Sequence, residues 1–210
     1  MTGLATQYLV IDDFLGAEAA DLLLAQMIAA KAGYTPSAMR FINDVTGIDS
    51  DFRSSLRLPG RVGVDLTGFK AAVHNRFDAL CAGTGIAPFA IYHTECSVVA
   101  HNDGDFYRTH IDTRTGKPET KDRQIRLISC VYYLNQRPAK FTGGELALHP
   151  LGSAGDAGST TKIAPLHNRL VAFPAFVPHE VLPISCPGGA FEDARFSINC
   201  WLHREFSTQG

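Results

Sequence analysis

From residue 88 onward, short apolar runs follow one another at close intervals, and this pattern constrains the fold more than any other feature of the chain. IYHTECSVVA, GDFYRTHID, IRLISCVYYLN, GGELALHP, NRLVAFP, HEVLPIS and ARFSINCWLHR are rich in β-branched and aromatic residues. Gly, Pro, Asn or Asp separates them. Such runs have the composition of strands, and seven in series predict an antiparallel sandwich or barrel.

The N-terminal part has a different period. In AEAADLLLAQMIAAKAG, Leu22, Leu23, Met27 and Ala30 recur at helical spacing and predict a helix over 17–31. Glu18 and Asp21 suit its first turn, Lys31 its last and Gly33 its stop. Phe69, Val73, Phe77 and Leu80 predict a second helix over 67–82, ended by Gly83 and Gly85. Tyr8 to Ile11 reads as a short strand. Residues 34–65, broken by Pro36, Gly47, Pro59, Gly60 and Gly63, read as an irregular segment with one or two short strands. The 210 residues fit one domain, with 1–87 as a helical and irregular support and 88–206 as a β core. The stretches 113–123 and 151–162 read as polar, mobile loops.

The bulk numbers exclude several classes. A net charge of −2 gives no mark of a nucleic-acid binder. Five cysteines, odd in number and with no CxxC pair, suggest neither a disulfide framework nor a zinc ribbon, and read as reduced, partly buried thiols. MTGLATQYLVIDD lacks the basic start and apolar run of a signal peptide, and no stretch is long and apolar enough to span a membrane. The expected location is cytoplasmic. The glycine pairs at 143–144 and 188–189 and the GTG at 83–85 read as turns, since no phosphate-loop lysine follows them. Oligomeric state has no signature here.

Chemistry concentrates in three places. His110 and Asp112 stand two apart in DFYRTHIDT, a spacing that on a strand points both side chains to one face. His179 opens an apolar strand in FPAFVPHEVLPI. Arg195 stands early in DARFSINCWLHR among apolar neighbours. Each alone has an ordinary reading: a surface histidine with a turn aspartate, a partly buried structural histidine, an edge arginine in solvent. In combination they match the two-histidine, one-carboxylate facial triad of non-heme Fe(II) oxygenases, with a planar guanidinium suited to grip a dicarboxylate.

From Cys96 to Arg204 the chain resembles the prolyl 4-hydroxylase and hypoxia-type prolyl hydroxylase branch of the 2-oxoglutarate/Fe(II) oxygenases, with a fainter likeness in DDFLGAEAADLL. HNDGDFYRTHIDT, RLISCVYYLN, TGGELALHP, FPAFVPHEV and RFSINCW carry the resemblance, in that order. It implies a mainly β fold with flanking N-terminal helices, a double-stranded β-helix or jelly roll with the metal in its open end. His110, Asp112 and His179 then look like the catalytic iron ligands. Arg195 and Tyr133 look like the partners of the far carboxylate of 2-oxoglutarate, and Val131, Leu146, Val181 and Trp201 like the walls of its pocket. Arg126 stands where related enzymes place an arginine near the substrate. His101 replaces a tyrosine usual in the family and reads as a polar, substrate-side residue at the pocket mouth. The cofactors implied are Fe(II), 2-oxoglutarate as cosubstrate and O2, with ascorbate as a candidate stimulant.

The substrate class that follows from the resemblance is a prolyl residue in a peptide or protein. A free amino acid or small metabolite is the alternative. A cupin-like module binding zinc or nickel without turnover is the alternative of another class. Residues 35–62, 113–123 and 185–194 are expected to rim the opening. Arg40, Arg53, Arg57 and Arg61 make the first of these basic, and a solvated surface is their ordinary reading. The spacing from His179 to Arg195 is 16 residues, longer than is usual in the family the chain resembles, and SCPGGAFEDA is expected to form an extended hairpin loop.

Overall fold

A computed structural model describes residues 6–40, 46–113, 123–151 and 159–205. Most of the 113–123 and 151–162 stretches, expected to be mobile loops, lies outside the described residues. The first helix, α1, runs Ala17–Ala29 and buries Ala20, Leu23, Leu24 and Met27. It stops two residues short of the expected end, and Lys31–Gly33 forms a 3₁₀ turn instead. Leu22, read as part of the apolar stripe, faces solvent.

The second predicted helix is two. The segment α2 covers Thr67–Asn75 and α3 covers Phe77–Thr84, with Arg76 between them at φ −103° and ψ 8°. The stripe Phe69, Val73 and Leu80 is buried as its spacing predicts. The break lets Phe77 turn to meet Phe89 edge-on, 5.1 Å between ring centres, while Leu80 stays in the core. At the end of α3, Gly85 adopts the left-handed conformation at φ 69°.

The strands form a jelly roll of two antiparallel sheets. The larger runs Leu9–Ile11, Arg169–Pro174, Gln124–Leu134, Arg195–Glu205, His93–His101, Leu56–Leu58 and Thr35–Pro36 in spatial order. The smaller runs Thr161–Ile163, Leu146–Leu148, His179–Val181, Phe106–His110 and Arg53–Ser54. Thr142–Gly143 pairs with Ile184–Ser185, and Met39–Arg40 with Thr46–Gly47. The segment expected to be irregular thus contributes to both sheets: Leu56 pairs with Ala100, and Arg53 with Tyr107.

Alternation along Arg195–Glu205 divides the molecule. Phe196, Ile198, Cys200 and Leu202 face the helices and join the core that contains Phe69, Val73 and Met27. Each such side chain taken out of water contributes about 1.5–3 kcal/mol. Arg195, Ser197, Asn199 and Trp201 point the other way, into a cleft. A smaller core of Tyr133, Leu146, Leu148, Ile163, Val171, Phe173 and Val177 fills the space between the sheets. All five cysteines are free thiols and four are buried. Among the described residues no helix is long and apolar enough to cross a membrane.

Candidate metal centre and cosubstrate cleft

His110 and His179 are direct partners on adjacent strands of the smaller sheet. Asp112 was expected on the same strand as His110, but the strand ends at His110. Pleating therefore does not aim its carboxylate. The backbone N–H groups of Asp112 and Thr113 both donate to the Ala175 carbonyl, at 2.9 and 3.1 Å, and this anchor turns the side chain back toward the histidines.

One ligand atom from each of the three residues lies within 4.8 Å of the others. Asp112 Oδ1 is 3.8 Å from His110 Nε2, and Oδ2 is 3.5 Å from His179 Nε2. Each histidine is oriented through its other nitrogen: Nδ1 of His110 meets the Arg108 carbonyl at 2.8 Å, and Nδ1 of His179 meets the Val177 carbonyl at 2.9 Å. A carbonyl only accepts, so both Nδ1 atoms carry hydrogen and both Nε2 lone pairs face inward. Burial, then the neighbouring His179, pushes the His110 pKa down to about 3, so the ring is neutral and able to ligate. Burial acts to raise Asp112, but the histidines and the hydrogen bonds from Ser129 and Trp201 outweigh it and hold the carboxyl below its usual range. Ser129 Oγ donates to Oδ2 at 2.7 Å. Tyr107 stacks on His110 with ring centres 3.6 Å apart, and Phe173 packs edge-on against His179.

Tyr107, His110, Asp112 and His179 line a cleft of about 1000 Å³, which also holds Arg195, His101, Val131, Leu146, Val181 and Trp201. Arg195 is 1% exposed and lies directly across the strand pair from His101. Its Nη1 donates to His101 Nδ1 at 3.3 Å. Its guanidinium lies over the Tyr133 ring, 4.7 Å from the ring centre. Among the described residues, Arg195 Nε and Nη2, the Tyr133 hydroxyl and His101 Nε2 are all buried without a hydrogen-bond partner. A buried guanidinium left this way costs several kcal/mol, so this end of the cleft is shaped for an anion. Gly144 makes room for it: at φ +71° a Cβ there would lie 2.9 Å from Arg195 Cδ and 2.7 Å from Ile184 Cγ1. The long connection before Arg195 contains a short strand and the 3₁₀ turn Phe191–Asp193.

Two expectations change. His101 is 2% exposed and belongs to the floor beside Arg195, not to the mouth. Burial, reinforced by Arg195 and Arg53, holds its pKa well below the usual value and keeps it neutral. Arg126 lines the cleft, but it donates to Glu95 from Nη2 at 2.7 Å and to the Asp112 carbonyl from Nη1 at 3.3 Å, and it stacks over Trp201 at 4.0 Å. Its donors are thus largely committed to bracing Asp112. His203 is buried on a central strand of the larger sheet and meets Glu95 at 3.1 Å. Burial alone would raise Glu95, but His203 and Arg126 bring its pKa down to about 2. Period-two alternation from Arg195 through Trp201 to His203 was the available signal for this group. Arg53 stands in the basic 35–62 segment expected to rim the opening, whereas Tyr107 had no signal beyond its place in DFYRTHIDT.

A jelly roll whose open end carries two imidazoles and one carboxylate, beside a buried anion-binding arginine, defines a class of non-heme metalloprotein. The chain belongs to the 2OG-Fe(II) oxygenase superfamily, whose family model matches residues 96–203. Membership implies Fe(II), 2-oxoglutarate and O2. The nitrogen and oxygen donors here suit Fe(II), and the unpartnered donors at the closed end suit a carboxylate. The chain is 28% identical over 201 residues to an uncharacterized PKHD-type hydroxylase of Synechocystis sp., covering 94% of this chain and 63% of that protein. It thus spans less than two thirds of that relative's length. It also resembles the crystal structure of a Pseudomonas putida prolyl-4-hydroxylase, with a TM-score of 0.64, 24% identity and coverage of 95% and 93%. A Trichoplax adhaerens prolyl hydroxylase in complex with a hypoxia inducible factor peptide matches with a TM-score of 0.66, 21% identity and coverage of 94% and 83%.

Proposed function

We propose that this protein is a 2-oxoglutarate- and Fe(II)-dependent dioxygenase that hydroxylates a prolyl residue within a peptide or protein. The observation that carries the oxygenase reading is the pairing, in one cleft, of three converging ligand atoms with a buried arginine that has no anionic partner among the described residues. In this reading His110, Asp112 and His179 hold the metal through Nε2, a carboxylate oxygen and Nε2. Arg195 and Tyr133 bind the far carboxylate of 2-oxoglutarate, with His101 Nε2 as a further donor at that end. Val131, Leu146 and Val181 form apolar walls that keep water from the cosubstrate. Ser129 and Trp201 orient the Asp112 carboxylate, and Arg126 braces its backbone. When bound, iron and 2-oxoglutarate supply oxygen activation coupled to decarboxylation, and the protein supplies position and a dry cavity.

A chain-like substrate is supported by the cleft's length. Its floor follows one strand from Arg195 to Trp201, about 20 Å at the usual strand rise. That is more room than a cosubstrate and a free amino acid need. The prolyl assignment is supported by the names of the similar proteins. The whole chain acts as one oxygenase domain in this reading, since the N-terminal region adds strands to both sheets.

The test is succinate release from 2-oxoglutarate with Fe(II), with and without a pool of proline-containing peptides, and mass spectrometry for peptides gaining one oxygen. Peptide-stimulated succinate and a hydroxylated proline are expected. Succinate stimulated only by free amino acids or metabolites would redirect the substrate class. Metal binding without any succinate would mean a binding module of the cupin kind.

A further inference from the structure

We infer that the substrate segment entering this cleft carries a carboxylate close to the reacting residue, and that Arg53 is the residue that reads it. The inference rests on the peptide-hydroxylase reading and adds the chemical character of the peptide.

Arg53 sits on the short strand Arg53–Ser54, paired with Tyr107. Its guanidinium lies 4.5 Å from the centre of the Tyr107 ring, and that ring stacks on His110. One aromatic layer therefore separates a cation from a metal-facing imidazole. The stem is held in place: Nε donates to Ser55 Oγ at 2.9 Å, and Ser55 Oγ in turn donates to the buried Ser37 at 2.8 Å. The side chain is half-buried, and among the described residues it forms no ion pair. Asp112 is the carboxylate whose field it feels, and the metal site claims that group. Arg57 adds repulsion to the cost of burial. A preoriented, partly desolvated guanidinium without a counterion is how a protein recognises an incoming carboxylate.

The rest of the cleft has the same sign. Its lining includes Arg53, Arg57, Arg61 and Lys70 in addition to Arg126 and Arg195, against the carboxylates of Asp49, Glu95 and Asp112. Arg195 faces the cosubstrate, Arg126 is committed to Glu95, and Asp112 belongs to the metal. Among the described residues, four cations then face the substrate space with Asp49 as their remaining counter-charge. A divalent metal and a dianionic cosubstrate cancel each other and leave this excess in place. The chain as a whole is net negative, at −2, so the positive charge is local to the cleft. A low-dielectric cleft lined by one sign focuses its field on the opposite one.

Binding can be read apart from turnover with the protein loaded with Mn(II) and N-oxalylglycine, using fluorescence anisotropy. The probes are labelled proline-centred host peptides with a single Glu moved through the three positions on either side, each with a Gln twin. Every peptide is made with a free and with an amidated C-terminus. At least one Glu register should bind about tenfold tighter than its twin at low salt, and the advantage should shrink at high salt. Arg53→Gln should erase that advantage and leave the Gln twin's affinity unchanged, and Arg53→Lys should keep part of it. An advantage confined to free C-termini would assign the carboxylate to a chain end instead of a side chain. Equal binding of Glu and Gln twins in every register, or no binding by any peptide, overturns the inference. So does an Arg53→Gln effect that weakens both twins alike, since that is what a prop for Tyr107 would do. Failure of the enzymatic reading is seen separately: acidic peptides would bind through Arg53, yet none would stimulate succinate release.

Discussion

Arg195 and His101 face each other across adjacent antiparallel strands, and the guanidinium donates to Nδ1 of the imidazole at 3.3 Å. Because arginine can only donate, the bond assigns the histidine its tautomer, with hydrogen on Nε2. Among the described residues three buried donors, Arg195 Nε and Nη2 and His101 Nε2, are thereby left for a ligand.

Arg195→Ala should weaken 2-oxoglutarate binding by about 10- to 100-fold or more, since charge-assisted hydrogen bonds are worth about 1.5–3 kcal/mol each. Calorimetric titration of the Mn(II)-loaded protein measures it. Arg195→Lys should recover little, because an ammonium lacks the planar fork. Unchanged affinity in Arg195→Ala would remove this residue from the cosubstrate site.

Gly144→Ala should act on the same site without replacing a charged residue. The new methyl would collide with Ile184 and with the stem of Arg195, on backbone at φ +71°. Overpacking of this kind costs about 1–3 kcal/mol. Both the melting temperature and the 2-oxoglutarate affinity should fall. A stable variant with normal affinity would mean that the turn relaxes freely.

Asp112→Ala should abolish both the rise in melting temperature on adding Mn(II) and peptide-stimulated succinate release. A metal that binds the native state stabilises it by mass action, so the first readout does not depend on turnover. Ser129→Ala and Trp201→Phe each remove one hydrogen bond to the Asp112 carboxylate. Each should lower metal affinity by about 10- to 100-fold while leaving the ligands in place. Equal metal affinity in all three variants would argue against this centre.

The metal-free protein should lose stability as pH falls below about 6.5. The sign follows from His101 and His110, whose folded pKa values lie well below that of a free histidine, near 3 for His110. Below pH 6.5 the unfolded chain takes up protons that the folded chain refuses, so acid favours unfolding. Each histidine contributes a slope on the order of 1.4 kcal/mol per pH unit. Denaturant titrations between pH 7 and 4.5 measure it, and His101→Phe should flatten the slope by about half. A slope unaffected by that substitution would place the acid sensitivity elsewhere.

The strand-rich half, the first helix and the candidate ligands were legible in the sequence because each depends on local rules. Turn residues punctuate strands, apolar spacing marks a helix face, and metal chemistry demands particular side chains in a workable order. His110, Asp112, His179, Arg195 and Tyr133 could all be named on those grounds and on family resemblance; the structure gathers the first four in one cleft and buries Tyr133 against Arg195. Other features came from contacts between distant segments. Asp112 is aimed by the Ala175 carbonyl rather than by a strand, and the Glu95–Arg126–His203 brace joins three neighbouring strands. Arg53 reaches the site because its short strand happens to pair with Phe106–His110. Residue types and order by themselves determined what chemistry this chain could hold. Only the tertiary structure decided which charges are neutralised and which are left facing the cleft, because cross-strand register brings together groups whose separation along the chain has no period to read.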